Sequence, residues 1–183
     1  MFSKILIKLI DESIVPAILL LATRLVSVVL VARTNSIPLE IGAGGLMFKT
    51  TKDYVLVNSY STFYMIIVLT VGLLYILTKS WFFHESHIKP QVTAQLFNMR
   101  GQSLIQNSYN LYTQGSIWLS YSYLLMFVTG FMAMFKFIFG WVFLVALVLC
   151  AISTVLLVLD VEQELHLSKK VGPEYDYSEG SEE

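Results

Sequence analysis

The chain has 183 residues, of which 56% are hydrophobic and 14% charged, with a formal net charge of −1 and a mean hydropathy of +0.68. Soluble domains carry about a quarter charged residues, so this chain has too little charge to cover a water-facing globule. The near-neutral balance excludes the basic footprint of a nucleic-acid partner, and a single cysteine, Cys150, excludes an intramolecular disulfide framework or a multi-cysteine zinc site.

The first apolar run covers residues 14–32. The hydrocarbon core of a bilayer is about 30 Å thick, and a helix needs roughly 20 apolar residues to cross it. Lys4 and Lys8 precede the run, as in a secretory signal, but it is longer than a signal core and holds Arg24. Its Leu30-Val31-Ala32 end is also a poor cleavage site, so it is predicted to stay as a span. Pro16 falls near its start and reads as a helix-start proline. The loop that follows, 33–53, holds Pro38 and the Gly42-Ala43-Gly44-Gly45 cluster, which predicts a turn or small hairpin. That cluster has neither of the glycine spacings that cradle a phosphate.

The second span is predicted over residues 54–78, with no formal charge anywhere in it. The segment 79–115 comes next. After Pro90 it places Val92, Leu96 and Met99 on one helical face, predicting an amphipathic segment on the inner membrane surface. The third and fourth spans, 116–135 and 137–159, are separated only by Lys136, with Gly140 just after, and predict a tight antiparallel hairpin. The remaining residues, 161–183, form an acidic tail: Pro173 to Glu183 holds five acidic groups and no basic one. None of the four runs alternates with a period of two, which favours helices over a barrel.

The expected architecture is an all-α, polytopic membrane protein. Four transmembrane helices lie within 1–160, with an amphipathic cytoplasmic segment between the second and third. Loop cations set the orientation. Seven of them (Lys4, Lys8, Lys79, Lys89, Arg100, Lys169, Lys170) fall on one side and four (Arg33, Lys49, Lys52, Lys136) on the other. The larger group is predicted to face the cytoplasm of a cell carrying this multi-pass protein in its membrane, with both termini inside. Tyr54, Trp81, Trp118, Tyr121 and Trp141 lie near span ends, as an aromatic belt requires.

Arg24 is the residue with most to say. A charge near the middle of a span costs about 2.5–3.5 kcal/mol on insertion scales, so something must offset it. No Asp or Glu lies inside a predicted span; Asn58, Thr62 and the tyrosines of spans two and three are the neutral acceptors on offer. Three readings follow: an acidic residue of another subunit, a polar path for an anion, or a snorkelling arginine that reaches headgroups or carbonyls.

His84-Glu85-Ser86-His87 resembles the zinc-protease HExxH signature with one residue missing, so Glu85 does not take the base position. With His166 as a third ligand it is the weak candidate for a metal site. No catalytic or cofactor-binding constellation stands out, and no GxSxG marks a nucleophile. Ala146, Cys150 and Thr154 form a small-residue stripe on span four, a surface on which helices approach closely. Together these features predict a non-enzymatic structural or adaptor subunit of a membrane complex. It would sit in the lipid bilayer and meet another subunit through Arg24 and the Ala146/Cys150/Thr154 face. A small transporter or channel component with Arg24 in an anion path is the alternative.

Overall fold

A computed structural model describes residues 2–42, 45–83 and 108–170. In chain order these form α1 (Phe2–Thr34), β1 (Glu40–Gly42), β2 (Gly45–Met47), α2 (Thr51–Phe83), α3 (Ser108–Met134) and α4 (Gly140–Lys170). All four helices hold stretches long and apolar enough to cross a bilayer: Leu9–Thr34, Thr51–Trp81, Tyr112–Met134 and Gly140–Glu162. The chain is a multi-pass integral membrane protein with four span-length helices among the described residues.

The expected spans are all present, and the helices overrun them. α1 begins at Phe2, and α4 continues past Asp160 to Lys170. Helical hydrogen bonds persist where hydrophobicity stops, so the polar flanks extend the same helices. Pro16 is consequently not a helix-start residue. It lies inside the 33 residues of α1, fully buried. The segment centred on Val92, Leu96 and Met99 and the tail beyond residue 170 lie outside the described residues.

Two helices end on the same device. Ser36 and Lys136 adopt left-handed backbone with φ of 55° and 60°. After α1, Ser36 N–H donates to Arg33 O at 3.2 Å and Ile37 N–H to Ala32 O at 2.9 Å; after α3, Lys136 N–H donates to Ala133 O at 3.0 Å and Phe137 N–H to Met132 O at 2.8 Å. These paired bonds are the Schellman closure, which satisfies carbonyls that a helix end leaves open. α2 starts on Thr50, whose Oγ1 accepts from Asp53 N–H at 3.1 Å. Between α1 and α2, β1 and β2 pair antiparallel with Ile41 opposite Leu46, the small hairpin expected from the glycine cluster.

α2 is the central element and packs on all three other helices; α1 also touches α3, and α3 packs on α4. The cross-section is a rhombus with α1 and α4 at opposite corners. One core cluster (Leu20, Ile66, Leu69, Leu125, Ile138, Val142, Ala146) fills the middle, and a second (Val28, Val31, Ala32, Val57) sits against Ile37, Leu39 and Phe48. Outside, large apolar side chains stand exposed on every helix, among them Val26 at 68%, Phe127 at 61% and Leu144 at 59%. Such a surface is stable only in lipid.

Glycine lets α2 and α3 meet. A Cβ at Gly72 would overlap the indole of Trp118, so that ring lies directly on the α2 backbone. Trp118 thereby packs, partly buried, against the core.

Candidate functional site: the Arg24 cluster

The face of α1 turned to α2 carries Leu20, Arg24, Ser27, Val28 and Val31, one helical stripe in which Arg24 and Ser27 are the polar interruptions. Opposite, α2 presents Asn58, Ser61 and Thr62 at i, i+3 and i+4, buried to 4%, 0% and 3% exposure. The guanidinium lies among them. Nη1 donates to Asn58 O at 3.2 Å, to Thr62 Oγ1 at 2.9 Å and to Ser61 Oγ, while Nη2 donates to Asn58 Oδ1. Ser61 and Thr62 hydroxyls in turn donate to Asn58 O at 3.1 and 2.7 Å. Ser27 Oγ donates to Arg24 O at 3.2 Å.

Each of these acceptors is neutral. They satisfy donors but cancel no charge, and the Arg24 side chain is only half-buried. Among the described residues, the cluster therefore holds a fixed, part-exposed cation whose hydrogen-bond acceptors carry no charge.

Asn58 has a second task. Its Nδ2 donates to Phe137 O at 3.0 Å, in the turn between α3 and α4. Its neighbour Ser59 accepts from Phe139 N–H at 2.8 Å and donates to Val55 O at 2.6 Å. Two adjacent side chains of α2 thus pin the turn, supplying a partner to the N–H that precedes α4. Tyr54 rings the same place, 5.8 Å from Phe48 and 6.2 Å from Phe137 between ring centroids.

The polar contacts elsewhere are single bonds between helices. Tyr121 OH donates to Ser13 O at 3.2 Å, Tyr123 OH and Thr154 Oγ1 lie 2.9 Å apart, and Ser80 Oγ donates to Asp160 Oδ2 at 2.7 Å. Tyr121 thereby ties α3 to α1 within one turn of Pro16.

The sequence points to Asn58 and Thr62 as acceptors for Arg24, and the structure adds Ser61, which completes the same face. Ala146 and Cys150 of the small-residue stripe are buried at 5% and 3%, inside the chain's own bundle. With Ile66, Leu69 and Ser153 they line a void of about 10 Å³. That is room for about one water, where small-molecule pockets span about 300–1,000 Å³.

His84 and His87 lie outside the described residues, and His166 lies in the last turns of α4, where only the helix course is described. Among the described residues, no group of three or more His, Cys, Asp or Glu side chains gathers as a metal site would require. No protein-family model, curated protein or solved structure matches this chain.

Proposed function

We propose that this membrane protein is a non-enzymatic structural or adaptor subunit, built to be covered by another membrane component along α3. The observation that carries this reading is an inversion. α3 is the least apolar of the four spans, yet only 6% of its most apolar 18 residues are buried, against 22, 28 and 33% for the others. A self-sufficient bundle would turn its most polar helix inward, where small residues let neighbouring helices approach closely. Instead Ser116, Ser120, Tyr123, Phe127 and Phe131 form one exposed stripe along α3. Small hydroxyl residues at one end and aromatic anchors at the other suit a docked helix better than lipid tails.

The packing between α2, α3 and α4 favours this reading over a transporter. Among the described residues, the void between these helices measures only about 10 Å³, too small for a solute. The excess of loop cations on the terminal side favours a cell membrane with both termini cytoplasmic.

The test is site-specific photo-crosslinking in native membranes. A diazirine side chain at Ser120 or Phe127 is expected to yield a protein adduct of one discrete mass; at Val26 on α1 it should yield lipid adducts alone. Lipid adducts alone at all three positions would sink the proposal.

A further inference from the structure

The α3–α4 turn fixes the depth of Arg24, and the depth differs from the one its sequence position suggests. The apolar stretches of α3 and α4 are Tyr112–Met134 and Gly140–Glu162, 23 residues each. At 1.5 Å per residue each is about 35 Å long, close to the hydrocarbon thickness with little to spare. The turn between them therefore marks the hydrocarbon boundary on its side. Its composition agrees: Lys136 is exposed at the turn, beside Phe135, Phe137, Phe139 and Trp141, the mixture of cation and aromatic rings that interfacial regions favour.

Asn58 and Ser59 are hydrogen-bonded to that turn, so they lie at the boundary too. Asn58 is the eighth residue of α2, whose first two turns stand about 10 Å above this level. The Arg24 guanidinium touches Asn58, Ser61 and Thr62. It lies within about one helical turn, some 5 Å, of the boundary. Counted along α1 the residue is mid-span; measured against α3 and α4 it is just under the headgroups.

We infer that the Arg24 cluster is a binding site for a phosphate-bearing anion, with the headgroup of a turn-side phospholipid as the source that this depth favours. The three polar residues of α2 hold the guanidinium in one orientation without spending its charge. A guanidinium fixed this way presents planar donors to phosphate oxygens, the geometry in which arginine exceeds lysine. The site differs in place and chemistry from the α3 stripe, and neither inference depends on the other.

Native mass spectrometry of the purified full chain in mild detergent tests this, with phosphatidylglycerol and diacylglycerol of equal tails as probes. Wild type should retain one phosphatidylglycerol at least about tenfold more tightly than diacylglycerol, and Arg24→Gln should erase that preference. Arg24→Lys keeps the charge and should retain part of it, which covers the case where the Gln variant does not fold. Inorganic phosphate at millimolar concentration separates the sources: displacement of the lipid assigns the anion to solution, persistence assigns it to the bilayer, and either upholds a phosphate site. Equal retention of the two lipids by wild type would overturn the inference. So would a protein partner lost in Arg24→Gln while lipid retention is unchanged, which would give the cation to a carboxylate of that partner.

Discussion

Lys136 sits where glycine is normally found. Left-handed backbone costs a residue with a Cβ about 1–2 kcal/mol, and a glycine gives back roughly 0.5–1 kcal/mol through the freedom it has when unfolded. Lys136→Gly is therefore expected to stabilise the fold by about 0.5–1 kcal/mol, read as a higher unfolding midpoint in detergent. Lys136→Val should lower it, because a β-branched side chain tolerates this φ least. Asn58 makes the opposite kind of case. Asn58→Leu keeps the volume but removes both an acceptor from a charged donor and a donor to Phe137 O. The first is a charge-assisted bond of about 1.5–3 kcal/mol and the second an ordinary membrane hydrogen bond of about 0.6 kcal/mol, so a loss of about 2–3 kcal/mol is expected. Ser59→Ala, which loses only neutral bonds, should cost about a third as much; equal losses in the two variants would show that Arg24 does not depend on Asn58. At this scale the sequence was partly readable. Asn58 and Thr62 stood out as an i, i+4 polar pair in an apolar run, whereas Ser61 at i+3 looked like one more small residue. The link from Asn58 to Phe137 spans 79 positions and has no local signature.

Between elements, the contact of α2 with α3 hangs on one missing side chain. Gly72→Ala places a methyl group in the Trp118 ring, and overpacking of this kind costs about 1–3 kcal/mol. Trp118→Leu alone should also destabilise, by opening space, but the double variant Gly72→Ala/Trp118→Leu should recover part of the loss. Thermal unfolding of the four proteins measures the coupling, and simple additivity would mean that the two positions do not meet. Gly130 is a milder case, since a Cβ there would meet Phe143 at 3.2 Å, a distance the ring can relieve by shifting. The four spans were legible because a run of apolar residues is a direct statement about lipid. Their ends were not, since hydropathy reports where the membrane stops and a helix does not stop there. The packing of Trp118 was not legible for a related reason: it depends on the facing Gly72, 46 positions earlier in the chain.

Across the whole molecule the connections fix which ends lie together. The β-hairpin and the α3–α4 turn share one side of the membrane, but the turn is recessed by about 10 Å relative to the start of α2. In a Cys150→Ser background, a membrane-impermeant maleimide should label Leu46→Cys and Lys136→Cys from the same side of sealed vesicles, and Trp81→Cys from the other. Leu46→Cys should react faster, being clear of the headgroups. Labelling of Leu46→Cys and Lys136→Cys from opposite sides would contradict the pinned turn. The rhombic arrangement also places α1 and α4 at opposite corners, while α3 turns the small hydroxyls of Ser116 and Ser120 to its surroundings. A composition scan registers α3 as just another span. Its unusual exposure is a property of the assembled helices.

The pinning of the turn also imposes an order in time. During synthesis α1 reaches the bilayer first and carries Arg24 there before any of its acceptors exists. The insertion penalty of about 2.5–3.5 kcal/mol stands until residues 58–62 have followed. Asn58 then waits for a carbonyl at residue 137, made only after the whole of α3 has been translated. Each polar contact closes a gap left by an earlier segment, so biogenesis of this protein has a vulnerable interval between the first helix and the second, during which quality control could recognise a lone charged span.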